Sequence, residues 1–207
     1  MPRRAKRVVP AGLALLIFEN GKGRPLIRPI REEIGHVRYH ALMSMHADQW
    51  SSVSRFLGLE ALYLDTKNWD AWLDLYTQDA VYWAPAWDDD GKPTVDPQRE
   101  ISLIYYANRG GLEDRVFRIR TGRSASASNA PARTSHISQL LQVEARGDRV
   151  YARTNWTVNS YKEDITITYY GWAEYELTPD GDSWRITRRT AYVLNDIANT
   201  VLDFYMI

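Results

Sequence analysis

From Thr134 onward the chain repeats one pattern. Thr134 to Ala145, Val150 to Tyr161, Ile165 to Leu177 and Trp184 to Leu194 are each rich in β-branched and aromatic residues, and only short connections separate them. Such side chains suit a pleated, half-buried surface. Gly147 with Asp148, and Asp180 with Gly181, are tight-turn pairs of the kind that join neighbouring antiparallel strands. The C-terminal third is therefore expected to fold as hairpins, with Thr200 to Ile207 as a last strand or short segment. A sheet of this kind has an apolar face that other elements must cover.

The covering elements lie upstream. Val53, Phe56, Leu57, Leu59, Glu60, Ala61, Tyr63 and Leu64 follow the three-and-four spacing of a helix opened by Ser51 or Ser52. A second helix is expected from Asn68, a capping residue, through Trp69, Trp72, Leu73, Leu75 and Tyr76, ending where Asp79 leads into a short strand, Ala80 to Trp83, closed by Pro85. Residues 87 to 99, with two prolines and a glycine, read as a long surface loop, and long ordered loops tend to carry function. Ile101 to Tyr106 follows. Leu112 to Ile119 reads as a helix with Leu112, Val116 and Ile119 inward and Arg115, Arg118 and Arg120 at other angles, before a serine- and alanine-rich linker, Ser124 to Ala132. Helices first and a twisted antiparallel sheet afterwards make an α+β fold in which the sheet wraps around the helices as a cone.

This domain is expected to span residues 48 to 207, behind an N-terminal extension of residues 1 to 47 that lacks a sustained apolar period. Arg3, Arg4, Lys6 and Arg7 precede the apolar stretch Val8 to Phe18, but no small-residue cleavage site follows and the stretch is too short to span a bilayer. The expectation is a cytoplasmic protein with no membrane partner. Met43 and Met45 sit just before the clean helical pattern, so the extension is either a misassigned start or an ordered arm that wraps a partner.

Charge and ligand counts exclude several functions. Lysine plus arginine number 26 and aspartate plus glutamate 26, leaving no excess to attract nucleic acid. There is no cysteine, which removes disulfides, thiolate metal sites and a cysteine nucleophile. Eight tryptophans and thirteen tyrosines suit either a packed core or a protein interface, and the two readings stay open.

Several stretches resemble, in order, the small subunits of the benzoate, toluate and anthranilate dioxygenase group. They are FLGLEALYLDTKNWDAWLDLYTQDAVYWAPAWDDD from Phe56 to Asp90, DPQREISLIYYANRGGLEDRVFRIRTGRSAS from Asp96 to Ser126, and RTSHISQL from Arg133 to Leu140. The ending RRTAYVLND, Arg188 to Asp196, followed by Leu202 to Ile207, resembles the family's final strand. The resemblance runs from Val53 to the end and leaves residues 1 to 47 without a counterpart. It implies a cone fold of the ketosteroid isomerase and scytalone dehydratase type. It further implies a partner, the large (alpha) subunit, in an assembly of three large and three small subunits. That partner would hold a Rieske [2Fe-2S] cluster and a mononuclear iron, with NADH electrons arriving through a separate reductase, and the complex would dihydroxylate an aromatic acid.

Counting ligands agrees with a chain that carries no cofactor. A Rieske centre takes two cysteines and two histidines, and the oxygenase iron takes two histidines and a carboxylate. The four histidines are His36, His40, His46 and, in the folded domain, His136 alone. His36 and His40 have a four-residue spacing but no third ligand. His136, with Asp79 or Tyr82 as orienting partner, would be the general base if the chain were a free-standing isomerase or dehydratase; a hydrogen-bonded structural histidine is the preferred reading. Asp88, Asp89 and Asp90 lack the spacing of a calcium loop and read as a solvated turn. Arg109, Arg115, Arg118, Arg120 and Arg123 are expected to clamp an acidic face of the large subunit, with Trp87, Tyr105 and Tyr106 in the same contact.

Overall fold

The computed structural model describes residues 16–19, 25–28, 30–127, 131–196 and 201–207. It divides into two units, residues 1–49 and 50–207. In the first, strand β1 (Leu16–Glu19) pairs antiparallel with β2 (Pro25–Arg28), and helix α1 (Ile30–Asp65) begins. The expected arm therefore carries a hairpin and the start of a helix, while the Arg3 to Arg7 cluster lies outside the described residues. Neither Ser51 nor Ser52 opens α1; both sit inside it, and Ser52 Oγ accepts a bond from Trp184 Nε1 at 3.0 Å. A serine marks a helix start only when nothing upstream is helical, and within a helix its hydroxyl finds another partner.

The second unit is a six-stranded sheet in the order β4-β3-β8-β7-β6-β5, where β3 is Tyr76–Pro85, β4 Ser102–Tyr106, β5 Arg133–Arg146, β6 Arg149–Lys162, β7 Ile165–Asp180 and β8 Ser183–Val193. All pairs are antiparallel except β3 with β8, which brings the first and last strands of the unit side by side in parallel. Helix α2 (Trp69–Asp74) precedes β3, and α3 (Arg109–Arg120) follows β4 with Leu112, Val116 and Ile119 buried as their spacing predicts. The second helix is shorter than expected. Tyr76 belongs to β3, because the apolar run Trp72, Leu73 and Tyr76 fits the end of a helix and the start of a strand equally well, and tertiary burial decides.

The alternation read from the sequence sets the faces. On β6, Val150, Ala152, Thr154, Trp156 and Val158 point inward, and on β7 Tyr169, Gly171, Ala173, Tyr175 and Leu177 do the same. Gly171 is required where it stands, since a Cβ there would lie 1.8 Å from the Tyr192 carbonyl oxygen of β8. The inner face closes on Val53, Phe56, Leu57 and Leu64 of α1 and on Trp72 of α2. It also closes on the chain's last residues. Phe204–Met206 form a 3-10 turn capped by the Asp203 side chain, so of the two expectations for this stretch, a last strand or a short segment, it is the short segment. Phe204 stacks on Trp72 with ring centroids 4.4 Å apart and an interplanar angle of 13°, while Trp69 meets Phe204 edge-on at 5.5 Å. Each such aromatic pair adds roughly 0.5–1.5 kcal/mol beyond its burial. Phe204, Tyr205, Met206 and Ile207 are all buried, so the interior that the sheet encloses is packed with the chain's own side chains.

Candidate functional site

Two polar clusters, one buried and one half-buried, line the inside of the sheet, and α1 supplies the acid of each. Glu60, one of the few charged residues in the core, points from the apolar stripe of α1 toward Arg189 of β8. Glu60 Oε1 accepts from the Tyr76 hydroxyl at 2.5 Å and Oε2 from the Tyr175 hydroxyl at 3.0 Å. Arg189 Nε lies 3.6 Å from Glu60 Oε1 and donates to the Tyr175 hydroxyl at 3.1 Å; its other nitrogens donate to the Tyr82 hydroxyl at 2.5 Å and the Ile207 carbonyl at 3.1 Å. Tyr82 in turn donates to the Phe204 carbonyl at 3.3 Å. Burial, the largest influence, pushes the hydroxyls of Tyr76, Tyr82 and Tyr175 up, so they stay protonated and donate. Burial alone would lower Arg189, but the surrounding oxygens of Tyr175, Tyr82 and Glu60 outweigh it and hold the guanidinium charged. Every tyrosine hydroxyl and every guanidinium nitrogen of this cluster is engaged, which suits cross-linking of helix, sheet and C-terminal segment.

The second cluster joins the end of α1 to the edge strand β5. Asp65 Oδ1 lies 2.6 Å from His136 Nδ1, and Oδ2 accepts the His136 backbone N–H at 3.0 Å. Burial works to raise Asp65, but its hydrogen bonds to the ring and the backbone N–H of His136 prevail and hold it below the usual carboxylate range. Two residues on, Lys67 sits in the left-handed region, φ 58°, and donates from Nζ to Thr134 Oγ1 at 2.6 Å. Burial lowers Lys67 to about 8. Among the described residues His136 Nε2 has no partner. It borders a cavity of about 20 Å³, lined also by Leu57, Glu60, Leu64, Trp156 and Arg189.

The orienting partner of His136 is thus Asp65, neither Asp79 nor Tyr82. Asp79 is exposed on β3, and Tyr82 is committed to Arg189 and Phe204. Sequence spacing missed Asp65 because the pair is made across 71 residues, by strand register at His136. Glu60 was visible as a charged residue inside an apolar helical stripe; nothing local marks Arg189 as its partner.

The arginines separate into two groups. Arg115 is bound bidentately to the buried Asp203, Nε to Oδ1 at 3.0 Å and Nη2 to Oδ2 at 2.7 Å, with Ser126 bonded to both. Arg109 bridges Asp74 at 3.1 Å and Glu113 at 2.8 Å. Arg120 pairs with Asp70 at the surface, 2.8 Å. Arg118 and Arg123 are exposed and form no ion pair with a described residue. Tyr106 packs inward beside Tyr82, whereas Tyr105 is half-exposed and accepts from Gln98. The aspartate triplet is a turn in which Asp88 accepts the backbone N–H groups of Asp90 and Lys92.

A family model described as "Ring hydroxylating beta subunit" matches residues 59–200. The benzoate 1,2-dioxygenase subunit beta of Acinetobacter baylyi is 43% identical over 156 residues, covering 75% of this chain and 92% of the relative. The chain belongs to the ring-hydroxylating beta subunit family. A second relative from the same organism, the anthranilate 1,2-dioxygenase small subunit, is 44% identical over 74% of this chain and 94% of its own length. A crystal structure of the beta subunit of the benzoate 1,2-dioxygenase from Burkholderia mallei aligns with TM-score 0.61 and 42% identity, covering 76% of this chain and 96% of the other. The cone-type α+β fold expected from the sequence is the fold of these subunits.

A beta subunit needs a surface for its partners, and the outer face of the sheet offers aromatic material. Trp172 of β7 stacks on Tyr192 of β8 at 4.6 Å, and Trp87 meets Trp172 edge-on at 5.9 Å while donating from Nε1 to the Val193 carbonyl. Arg153 lies over Trp172 at 5.4 Å. These rings are half-buried, amphipathic and fixed in place before any partner arrives.

Proposed function

We propose that this chain is the non-catalytic small subunit of a Rieske-type dioxygenase for an aromatic carboxylate of the benzoate or anthranilate kind, serving assembly of the metal-bearing large subunit in aromatic catabolism. The observation that carries this reading is the filled interior. The space beside His136 is about 20 Å³, whereas pockets for organic ligands run to about 300–1,000 Å³. A histidine and an aspartate in hydrogen-bond contact have the composition of a general base pair, but without room for a substrate at Nε2 they serve as a clamp between α1 and β5.

The iron groups belong to the partner in this reading. With no cysteine in the chain, the residues present do not fit a Rieske cluster. Among the described residues no group of three histidines, aspartates or glutamates is placed to hold a metal. The partner is the large subunit, in a complex of three large and three small chains in the cytoplasm, with NADH electrons supplied through a separate reductase. Among the described residues no helix is long and apolar enough to cross a membrane. The contact surface comprises Trp87, Trp172 and Tyr192, with Tyr105 and the exposed Arg118, Arg120 and Arg123 as further candidates, because tyrosine, tryptophan and arginine are the residues enriched at interfaces. Arg109, Arg115 and Tyr106 are engaged within the chain and contribute by holding α3 and β4 in place.

Co-expression with a large subunit of the benzoate or anthranilate dioxygenase kind from the same genome, followed by size-exclusion chromatography with light scattering and an absorbance spectrum, tests the assignment. A hexamer-sized peak with iron-sulfur absorbance is expected, and the isolated chain should be colourless and inactive. If the large subunit assembles without this chain, the subunit reading fails. A free-standing isomerase or dehydratase would instead show turnover in the purified chain that His136→Ala abolishes.

A further inference from the structure

Two side chains, one on β5 and one on β6, are almost fully buried against α1, and among the described residues each leaves a polar atom without a partner. His136, whose side chain is 8% exposed, has an open Nε2, and Trp156, 6% exposed, has an open Nε1–H. They share a face of the sheet. His136 pairs with Val158 and Ser138 with Trp156, so the two rings are diagonal neighbours on adjacent strands, within reach of a common bridging atom. Both line the cavity of about 20 Å³. A cavity needs roughly 10–15 Å³ of this kind to hold one water, and the water needs two to four polar partners. Glu60, on the same wall, supplies a third: its oxygens already accept one tyrosine hydroxyl each and retain acceptor capacity.

We infer that the cavity is a built binding site for a single ordered water, which accepts from Trp156 Nε1–H and donates to His136 Nε2 and to the Glu60 carboxylate. The roles match the chemistry. Asp65 takes the Nδ1–H of His136, leaving Nε2 as an acceptor in the neutral ring, and an indole nitrogen can only donate. Two protein groups, an acceptor and a donor, thus need a molecule that is both. A buried polar atom left unpaired costs about 1–3 kcal/mol, so three bonds from one water relieve two such costs. The water also connects the two polar clusters, which among the described residues share no direct hydrogen bond, and so couples the edge strand to the core through α1, β5 and β6. This site is independent of whether the chain is a dioxygenase subunit.

A crystal structure of the full chain at a resolution that orders buried water should show one peak within about 2.7–3.2 Å of all three groups. In solution the Trp156 indole proton should cross-relax with water, and long-range proton–nitrogen spectra should show His136 in the Nδ1–H form with Nε2 as a hydrogen-bonded acceptor. Trp156→Phe removes the donor and should move the Nε2 resonance toward that of an unbonded imine nitrogen. An empty cavity, a direct bond from Trp156 Nε1 to His136 Nε2, or a His136 protonated on both nitrogens in the native chain would each overturn the assignment. These native-chain results decide the question even if the Trp156 variant does not fold.

Discussion

The clusters around Glu60 and Asp65 use the same helix and the same type of acid, yet they are built for different tolerances. Glu60 and Arg189 are 5% and 4% exposed at their side chains, and every neighbouring hydroxyl is spoken for. Asp65 is 28% exposed, at the last turn of α1 and beside an edge strand, and among the described residues no protein group bonds Nε2 of its partner His136. A buried ion pair is weak evidence of net stabilisation, because desolvation offsets its attraction. What such a pair does enforce is completeness. Remove one member and the rest are stranded in low dielectric, whereas at the edge solvent can replace what is lost. The contrast teaches that the interior of this cone is a polar lock, while its rim is an adjustable clasp.

The largest effect should come from breaking the lock. Arg189→Met keeps an unbranched side chain but strands Glu60 and leaves the hydroxyls of Tyr82 and Tyr175 without one bond each. Losing one member of a buried pair costs roughly 3–5 kcal/mol. Urea unfolding of the isolated variant should show a loss of that size. A loss below about 1 kcal/mol, the range of exposed pairs, would mean that the network is wet in solution and the contrast with the rim does not hold.

Asp65→Asn should do less. It weakens two bonds to His136, one from the ring and one from the backbone N–H, at a site that water reaches. About 1 kcal/mol is expected once the value of a charged hydrogen bond is discounted for exposure. The pH dependence gives a second reading. Asp65 is held below its ordinary value in the folded chain, so its contribution is fully present above the unfolded pKa of about 3.9 and is lost as pH falls through the folded value. Stability of native and Asp65→Asn chains should converge in that acid window. Parallel curves down to the lowest pH would show that Asp65 is not preferentially ionised by folding.

The two clusters also differ in how far the sequence announces them. Strand alternation, the tight turns at Gly147 and Gly181, and the α3 stripe of Leu112, Val116 and Ile119 are local signals, and each element formed where local physics places it. Boundaries blurred where one residue serves two patterns, as Tyr76 does, or where a helix runs on through a plausible cap, as at Ser52. The turn Glu163–Asp164 takes positive φ at both residues, 51° and 63°, without the glycine or asparagine that usually marks it. The site was less legible for a topological reason. Glu60 with Tyr175, Asp65 with His136 and Arg115 with Asp203 meet across 115, 71 and 88 residues. Chemistry made arginine clusters and a lone histidine conspicuous, but only the fold determines whether Arg115 points outward to a partner or inward to Asp203.

Lys67 offers the finest adjustment, since it belongs to the rim and changes only with pH. Its ammonium is partly withdrawn from water against the rings of Tyr205 and Trp69, at 4.7 and 5.6 Å, and burial brings it from 10.5 down to about 8. The sign is opposite to that of a lysine gaining a partner. Below about 8 the amine is charged in both folded and unfolded chains, and folding bears the cost of desolvating it; between about 8 and the unfolded value near 10.4 the unfolded chain binds the extra proton. Stability should therefore rise with pH across that window. Lys67→Met should remove this rise while leaving the acid-side behaviour of Asp65 in place, as read by urea unfolding at pH values on either side. If the native chain instead loses stability from pH 8 to 10 through this residue, the bond to Thr134 and the aromatic contacts outweigh burial, and the rim is a tighter clasp than its exposure suggests.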